Sequence, residues 1–198
     1  PSHLQNENRR FESLLNHWER FLCTLSIECP DQLNIPDLKG QTPLMLMAEK
    51  GNRAIVQIML DEGADPEIQD WHGMTALHSA CKSRNDECVD ILLDLPCKLD
   101  KRTMENRSPL HTACWAGNLH AVKRLTELDP ELVRQRDLLG NTPLELAEKY
   151  IDDPEALAAL VTRRAQDGRT CATKEELEAI VKLLELRSFP GWLQSSVQ

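Results

Sequence analysis

The segment Gly40-Gln41-Thr42-Pro43-Leu44 returns as Gly73-Met74-Thr75-Ala76-Leu77, as Asn106-Arg107-Ser108-Pro109-Leu110 and as Gly140-Asn141-Thr142-Pro143-Leu144. Its hydroxyl residues Thr42, Thr75, Ser108 and Thr142 stand 33, 33 and 34 residues apart. A second signal keeps the period: Gly51-Asn52, Arg84-Asn85 and Gly117-Asn118. A third is Asp61-Glu62-Gly63-Ala64-Asp65, with Asp70 opening the next unit. Six of the 8 glycines (Gly40, Gly51, Gly63, Gly73, Gly117, Gly140) fall on repeat positions. A period of this size marks a stack of small units, none of which can bury its apolar face alone.

Local chemistry explains the repeated types. Thr or Ser accepts a hydrogen bond from the free amides of a helix start. Pro at the first helical position gives up an amide that has no partner there and presets φ. Gly40, Gly73 and Gly140 sit in turns where a Cβ would clash. Leu44, Leu77, Leu110 and Leu144 open a short helix, with Ala48, Ala80, Ala113 and Ala147 allowing close stacking. Gly51 or Gly117 ends that helix. A second helix follows, with Ile55, Val56, Met59 and Leu60 in the first unit and Cys88, Val89, Leu92 and Leu93 in the next. Ala121, Val122 and Leu125 follow in the third. Their i, i+1, i+4, i+5 spacing is one buried helical stripe.

An opening Asp, a turn Gly, then Thr-Pro-Leu-His and two small residues are nearly intact at 70–81 and 103–114, and recognisable at 37–48 and 137–148. On these motifs, over roughly two thirds of its length, the chain resembles the ankyrin repeat family. The resemblance implies an all-α repeat solenoid, an ankyrin repeat stack with helical N- and C-terminal caps. The expected organisation is an N-terminal helical cap at 1–36 and repeats at 37–69, 70–102 and 103–136. A degenerate repeat at 137–165, a capping helix at 166–187 and a flexible tail at 188–198 complete it. Asp129-Pro130-Glu131-Leu132 carries one residue more than the first unit and should reshape its loop. In the fourth unit Glu145 replaces the usual His and Glu148 the second small residue, and Asp152-Asp153-Pro154 breaks the chain before an Ala-rich helix near 154–164.

The flanks read as amphipathic helices. Phe11, Leu14, Leu15, Trp18, Leu22 and Leu25 keep helical spacing up to Cys29-Pro30. Thr173 and Glu176 make a capping-box signature, followed by Leu177, Ile180, Val181 and Leu184 on one face. Glu175, Glu176, Glu178, Lys182 and Glu185 are expected to face water. The tail holds Trp192.

Composition excludes several function classes. The 198 residues are 41% hydrophobic and 28% charged, enough to bury a core. Lys+Arg 23 against Asp+Glu 32 gives −9, which argues against general binding to phosphate backbones or anionic lipid. Aromatics are few (Trp 4, Tyr 1, Phe 3), so a base-stacking platform is not expected. No apolar run is long enough to span a bilayer, and no secretory pattern is present. Seven scattered Cys fit free thiols in a reducing compartment, hence a cytoplasmic chain, or one in the nucleus or a host cytosol. Pro1 as first residue raises the expectation of a domain from a longer protein.

Two constellations resemble chemistry. His78 with Cys81, and His111 with Cys114, have the i, i+3 spacing of two metal ligands on one helix. Neighbouring helices lie about 8–10 Å apart, while zinc needs every donor within about 2.3 Å. In the ankyrin family that His braces the turn by hydrogen bonds, and the residue three on is a small buried contact. Structural thiols and no metal are therefore expected, and Cys23, Cys29, Cys88, Cys97 and Cys171 form no CxxC pair. No phosphate loop, nucleophile elbow or HExxH occurs, so no enzyme activity and no cofactor are expected. The acidic pairs Asp152-Asp153 and Glu175-Glu176 sit at helix starts, where the dipole favours negative charge.

The residues that the repeat leaves free point to binding. After each opening position stand Leu38, Trp71, Met104 and Leu138. In the ankyrin architecture this place is the tip of a β-turn finger beside the concave face. Lys39, His72, Glu105 and Leu139 follow; after the turn come Gln41, Met74, Arg107 and Asn141. The exposed slot before the first helix ends holds Glu49, Lys82, Trp115 and Lys149. An apolar row rimmed by charge is a protein docking surface, although sideways packing of fingers would bury Leu38 and Leu138 in part. The expected contacts of a partner protein or peptide are Leu38, Trp71, His72, Met74, Met104, Arg107, Trp115, Leu138 and Leu139. Neither Trp71 nor Trp115 is expected to hold repeats together. The net charge suits a partner ridge or helix with basic neighbours. The chain by itself is expected to be monomeric, with no nucleic acid and no membrane among its partners. Two alternatives are a substrate-recruiting or targeting domain of a larger enzyme or secreted bacterial effector, and a methyl-lysine reader caged by Trp71 and Trp115.

Overall fold

A computed structural model describes residues 33–95, 99–152 and 174–188, with the backbone alone at 150 and 152. The expected N-terminal helix, the Ala-rich helix near 154–164, Thr173, Trp192 and Cys23, Cys29, Cys97 and Cys171 lie outside the described residues. Three helix pairs follow one another: α1 (Pro43–Lys50) with α2 (Arg53–Asp61), α3 (Ala76–Ser83) with α4 (Asp86–Leu93), and α5 (Pro109–Ala116) with α6 (Leu119–Leu128). A 3-10 helix at Pro130–Arg134, α7 (Pro143–Asp152) and α8 (Lys174–Ser188) complete the order. No strand occurs among the described residues.

Each helix begins where its cap chemistry dictates. Thr42 Oγ1 accepts the Met45 amide at 3.3 Å, and Ser108 Oγ accepts that of His111 at 3.5 Å. The second helices are capped by Asn52, Asn85 and Asn118, whose side-chain oxygens accept the amides of Ile55, Cys88 and Ala121 at 3.1, 2.8 and 2.9 Å. Two of those Asn also bind the preceding repeat: Asn85 Nδ2 donates to Gly51 O and Asn118 Nδ2 to Cys81 O, both at 3.3 Å. This explains Gly51. Its φ is 75°, and a Cβ there would come within 2.3 Å of Asn85 Nδ2. Arg84 holds the same left-handed position at φ 60° without a glycine, and Asn106 does so in the third finger at φ 56°.

First helices stack on first helices, α1 on α3, α3 on α5 and α5 on α7, while second helices form the layer behind them. Between the layers Leu44, Leu110, Ala48, Ala80, Ala113, Val56, Val89 and Val122 are wholly buried. The extra residue at 129–132 is absorbed by the 3-10 helix, which Asp129 caps through the Glu131 amide at 3.0 Å and which buries Leu132 and Val133.

Helix α8 packs against α7, α6 and the 3-10 helix. Leu177, Ile180 and Leu184 are buried there, and Val181 is half-buried. Glu176, expected to face water, lies 2.6 Å from Arg84 in the second repeat. At the far end Arg187 donates to Thr126 Oγ1 and lies 3.5 Å from Glu127. Helix α8 thus runs parallel to α6 and pairs with α7, the two relations that a second helix has in the other units.

Candidate functional site

Each finger is a tight turn built on one side chain. Asp37 Oδ1 accepts the amides of Lys39 and Gln41 at 2.8 and 2.9 Å. Asp70 does the same for His72 and Met74, and Asp137 for Leu139 and Asn141. Burial alone would raise the Asp137 carboxyl, but the amides of Asn141 and Leu139 bring it below the ordinary aspartate range. In the third finger Thr103 substitutes, its Oγ1 accepting the Arg107 amide at 3.1 Å.

The fingers are tied in series. The Trp71 amide donates to Lys39 O at 3.2 Å, that of Met104 to His72 O and that of Leu138 to Glu105 O, both at 2.8 Å. Side chains add to this: Gln69 donates to Gly73 O and to Arg102 O, and Asn106 donates to Arg136 O.

The tips are bare. Leu38 is fully exposed, and Trp71, Met104, Leu138 and Leu139 keep 65%, 74%, 73% and 74% of their surface open. Sideways packing therefore does not bury Leu38 or Leu138, because the contact between fingers runs through backbone bonds. His72 is exposed, while Met74, Arg107 and Trp115 are half-buried. Trp71 departs from its expected freedom from structural duty. Its indole N–H donates to Leu38 O at 3.1 Å, and its ring lies where a Cβ on Gly40 would be, 2.9 Å from that position. It is an exposed surface and also a brace between the first two fingers.

Met74, Met104, Arg107, His72 and Trp115 come together around a cavity of ≈ 400 Å³ between the second and third fingers, with Lys82, Thr103, Glu105 and Thr112. Leu38, Trp71, Leu138 and Leu139 lie outside it. Trp71 and Trp115 thus do not line one pocket, and the cavity has one indole. Lys82 pairs with Glu49 across the first and second repeats at 3.5 Å.

The His–Cys pairs are turn braces. His78 Nδ1 accepts the Thr75 amide at 3.2 Å, and its Nε2 faces Arg107 O at 3.3 Å. His111 repeats this with the Ser108 amide and Asn141 O. An amide only donates and a carbonyl only accepts, so each ring is neutral with its proton on Nε2. Burial pushes both imidazoles down to about 4, against the carbonyl bonds that favour the charged form. Burial pushes the Cys81 thiol up to about 12 and raises Cys114 further. Such thiols and rings with both nitrogens engaged are poor metal ligands. Among the described residues no group of three or more His, Cys, Asp or Glu could hold a metal ion.

Sequence reasoning missed two residues. Glu145, read only as a departure, takes the brace's place: its Oε2 accepts the Thr142 amide at 2.6 Å, and Thr142 Oγ1 accepts its own amide at 3.2 Å. The bond to that amide holds the Glu145 carboxyl below its ordinary range. The Thr-x-x-Glu spacing was the available signal. Arg84, at a glycine position, anchors Glu176; only the folded chain brings them together.

Among the described residues no helix is long and apolar enough to cross a membrane. No curated protein matches the chain. A family model of ankyrin repeats in three copies matches residues 11–103, which takes in the first two described repeats and begins within the expected N-terminal cap. Ankyrin repeats are generally protein–protein interaction modules and typically non-catalytic. The matched segment, the 33-residue period and the stacked helix pairs joined by bare turns identify the repeats within residues 11–103 as ankyrin repeats.

Proposed function

We propose that this chain is a non-catalytic binding module that takes a partner protein on its finger row and the adjoining concave face. One observation carries the reading: Leu38, Trp71, Met104, Leu138 and Leu139 form an exposed apolar row on turns whose backbone is locked. Exposed apolar side chains in a contiguous row mark interaction sites. A surface held by finger-to-finger hydrogen bonds loses little entropy on docking. The free, buried thiols of Cys81, Cys88 and Cys114 suit a reducing compartment.

The test is affinity capture with crosslinking from extracts of the cells that make the protein. The exposed-tip variant Met104→Glu with Leu138→Glu is compared with a control pair on the second-helix layer, Glu87→Ala with Lys123→Ala. The tip variant should keep its melting temperature and lose the partner, while the control keeps both. Equal capture by the two variants would place the binding surface elsewhere.

A further inference from the structure

The third finger lacks the anion on which the other three are built. Asp37, Asp70 and Asp137 each accept two amides through one carboxylate oxygen, those of the residues two and four further on. Thr103 stands in that place and accepts only the second, from Arg107 at 3.1 Å. The backbone closes in the same way, Thr103 N donating to Arg107 O at 3.0 Å and Asn106 N to Thr103 O at 2.9 Å. The amide of Glu105, two residues on, has no acceptor among the described residues.

A cation is left over as well. Arg102 lies across this finger, its Nε donating to Asp100 O at 3.2 Å and its Nη1 to Asn106 O at 3.4 Å. Both acceptors are neutral carbonyls, and among the described residues no carboxylate pairs with Arg102 or with Lys101. Burial lowers Arg102 from the ordinary arginine value, and the charge of nearby Asp100 offsets this only in part. Arg107 is already taken by Glu105 at 2.7 Å, so the unanswered cation is Arg102. Thr103 itself is open to reagents, because it lines the cavity of ≈ 400 Å³ between the second and third fingers. Its Oγ1 accepts one hydrogen bond and donates none, which leaves the hydroxyl proton uncommitted.

We propose that Thr103 is a phosphorylation site, and that the phosphate takes the place of the finger carboxylate. A protein kinase moves the γ-phosphoryl group of a nucleoside triphosphate to Oγ1. The Oγ1–P bond forms as the P–O bond to the nucleoside diphosphate breaks, and the hydroxyl proton passes to the kinase's base. Lys101 and Arg102, directly before Thr103, are cations for an enzyme that selects basic residues on that side. The attached group carries about −1.5 to −2 charges at pH 7 and three acceptor oxygens. One oxygen receives the Glu105 amide and another the Arg102 guanidinium, a charge-assisted contact. The modification stands independently of the finger row being a binding surface.

In the test the full chain is incubated with ATP and two kinases that select basic residues before their target, the cyclic-AMP-dependent kinase and protein kinase C. The products are mapped by tandem mass spectrometry, and Thr103 should carry a phosphoryl group. Urea unfolding then compares the chain phosphorylated at Thr103 with the unmodified chain and with two variants. The phosphorylated chain and Thr103→Asp should each raise the folding equilibrium constant roughly tenfold or more, the size of one hydrogen bond to a charged group. Thr103→Val should lower it, since the Arg107 amide loses its acceptor. Adding Arg102→Gln to Thr103→Asp should remove most of the gain. Absence of phosphate on Thr103 with both kinases overturns the proposal, even where Thr103→Asp is stabilising. So does a phosphorylated chain no more stable than the unmodified one, or a gain that survives Arg102→Gln unchanged.

Discussion

Acid should unfold this protein through two histidines before it does so through carboxylates. His78 and His111 are buried and neutral, with Nδ1 on a backbone amide and Nε2 facing a carbonyl. A proton added at Nδ1 would break the brace and bury a charge. An unfolded histidine takes its proton near 6.5, the folded ones only near 4. Between those values the unfolded chain binds more protons, so stability falls as pH falls; below about 4 the histidines cost nothing further. From pH 7.5 to pH 5 each should remove about 2 kcal/mol and the pair about 4. That is a large part of a stability of about 5–15 kcal/mol. Asp90, Asp137 and Glu145 are held below their ordinary ranges, so their contribution is lost only at lower pH. Burial would raise Asp90, but hydrogen bonds from His120 and Arg124 outweigh it. The assay is urea unfolding followed by far-UV circular dichroism across this pH range. It compares the wild type with the double variant His78→Gln, His111→Gln. Gln can accept the same amide and donate to the same carbonyl, but it does not titrate. The variant should be less stable at pH 7.5 and nearly flat from there to pH 5. If wild type and variant lose stability in parallel, the braces are not the acid-sensitive groups and the reasoning fails.

Four further outcomes follow from the geometry. Gly51→Ala should destabilise by about 1–3 kcal/mol in chemical denaturation, since a Cβ meets Asn85 in a left-handed backbone. Asn118→Ala should cost about 1–2 kcal/mol, losing the cap of α6. It also loses the bond to Cys81 O. Ile180→Ala should cost about 2–5 kcal/mol, because the side chain is wholly buried where α8 packs; an unchanged melting temperature would show that α8 is dispensable. Melting curves with EDTA or with reductant should overlay that of untreated protein, as the rings of His78 and His111 are engaged and Cys81, Cys88 and Cys114 are free.

The repeats were legible because their punctuation is local. A hydroxyl cap, a Pro at the first helical turn and a left-handed Gly each act within a few residues, and the helix pairs start where those residues stand. The exposed tips were legible for the opposite reason: positions that the repeat does not use for packing vary in type and face outward. What failed to show was anything set by two distant segments. Trp71 reads as a free aromatic until Leu38 O and Gly40 come beside it. Glu176 reads as half of a capping box until Arg84 reaches it across the third repeat. The cavity beside Met104 belongs to two fingers and a helix from different units, so no single stretch of sequence contains it. The helix pairing of α8 with α7 is likewise hidden, because residues 153–173 separate them in the chain.

The hydrogen bonds that link the fingers in series also make the tips a ruler. Fingers tied backbone to backbone share the step of the helices behind them, about 8–10 Å from one to the next. A helix advances about 1.5 Å per residue, so one lying along the row would meet successive tips roughly every five to seven residues, about one and a half to two turns. Only near the upper end of that range, close to two full turns, does such a helix turn one side to every tip. An extended strand, at about 3.3 Å per residue, would meet them about every third residue, with its side chains alternating away. The graduation of the row thus sets the spacing that a partner's contacts must match, before any side chain is compared.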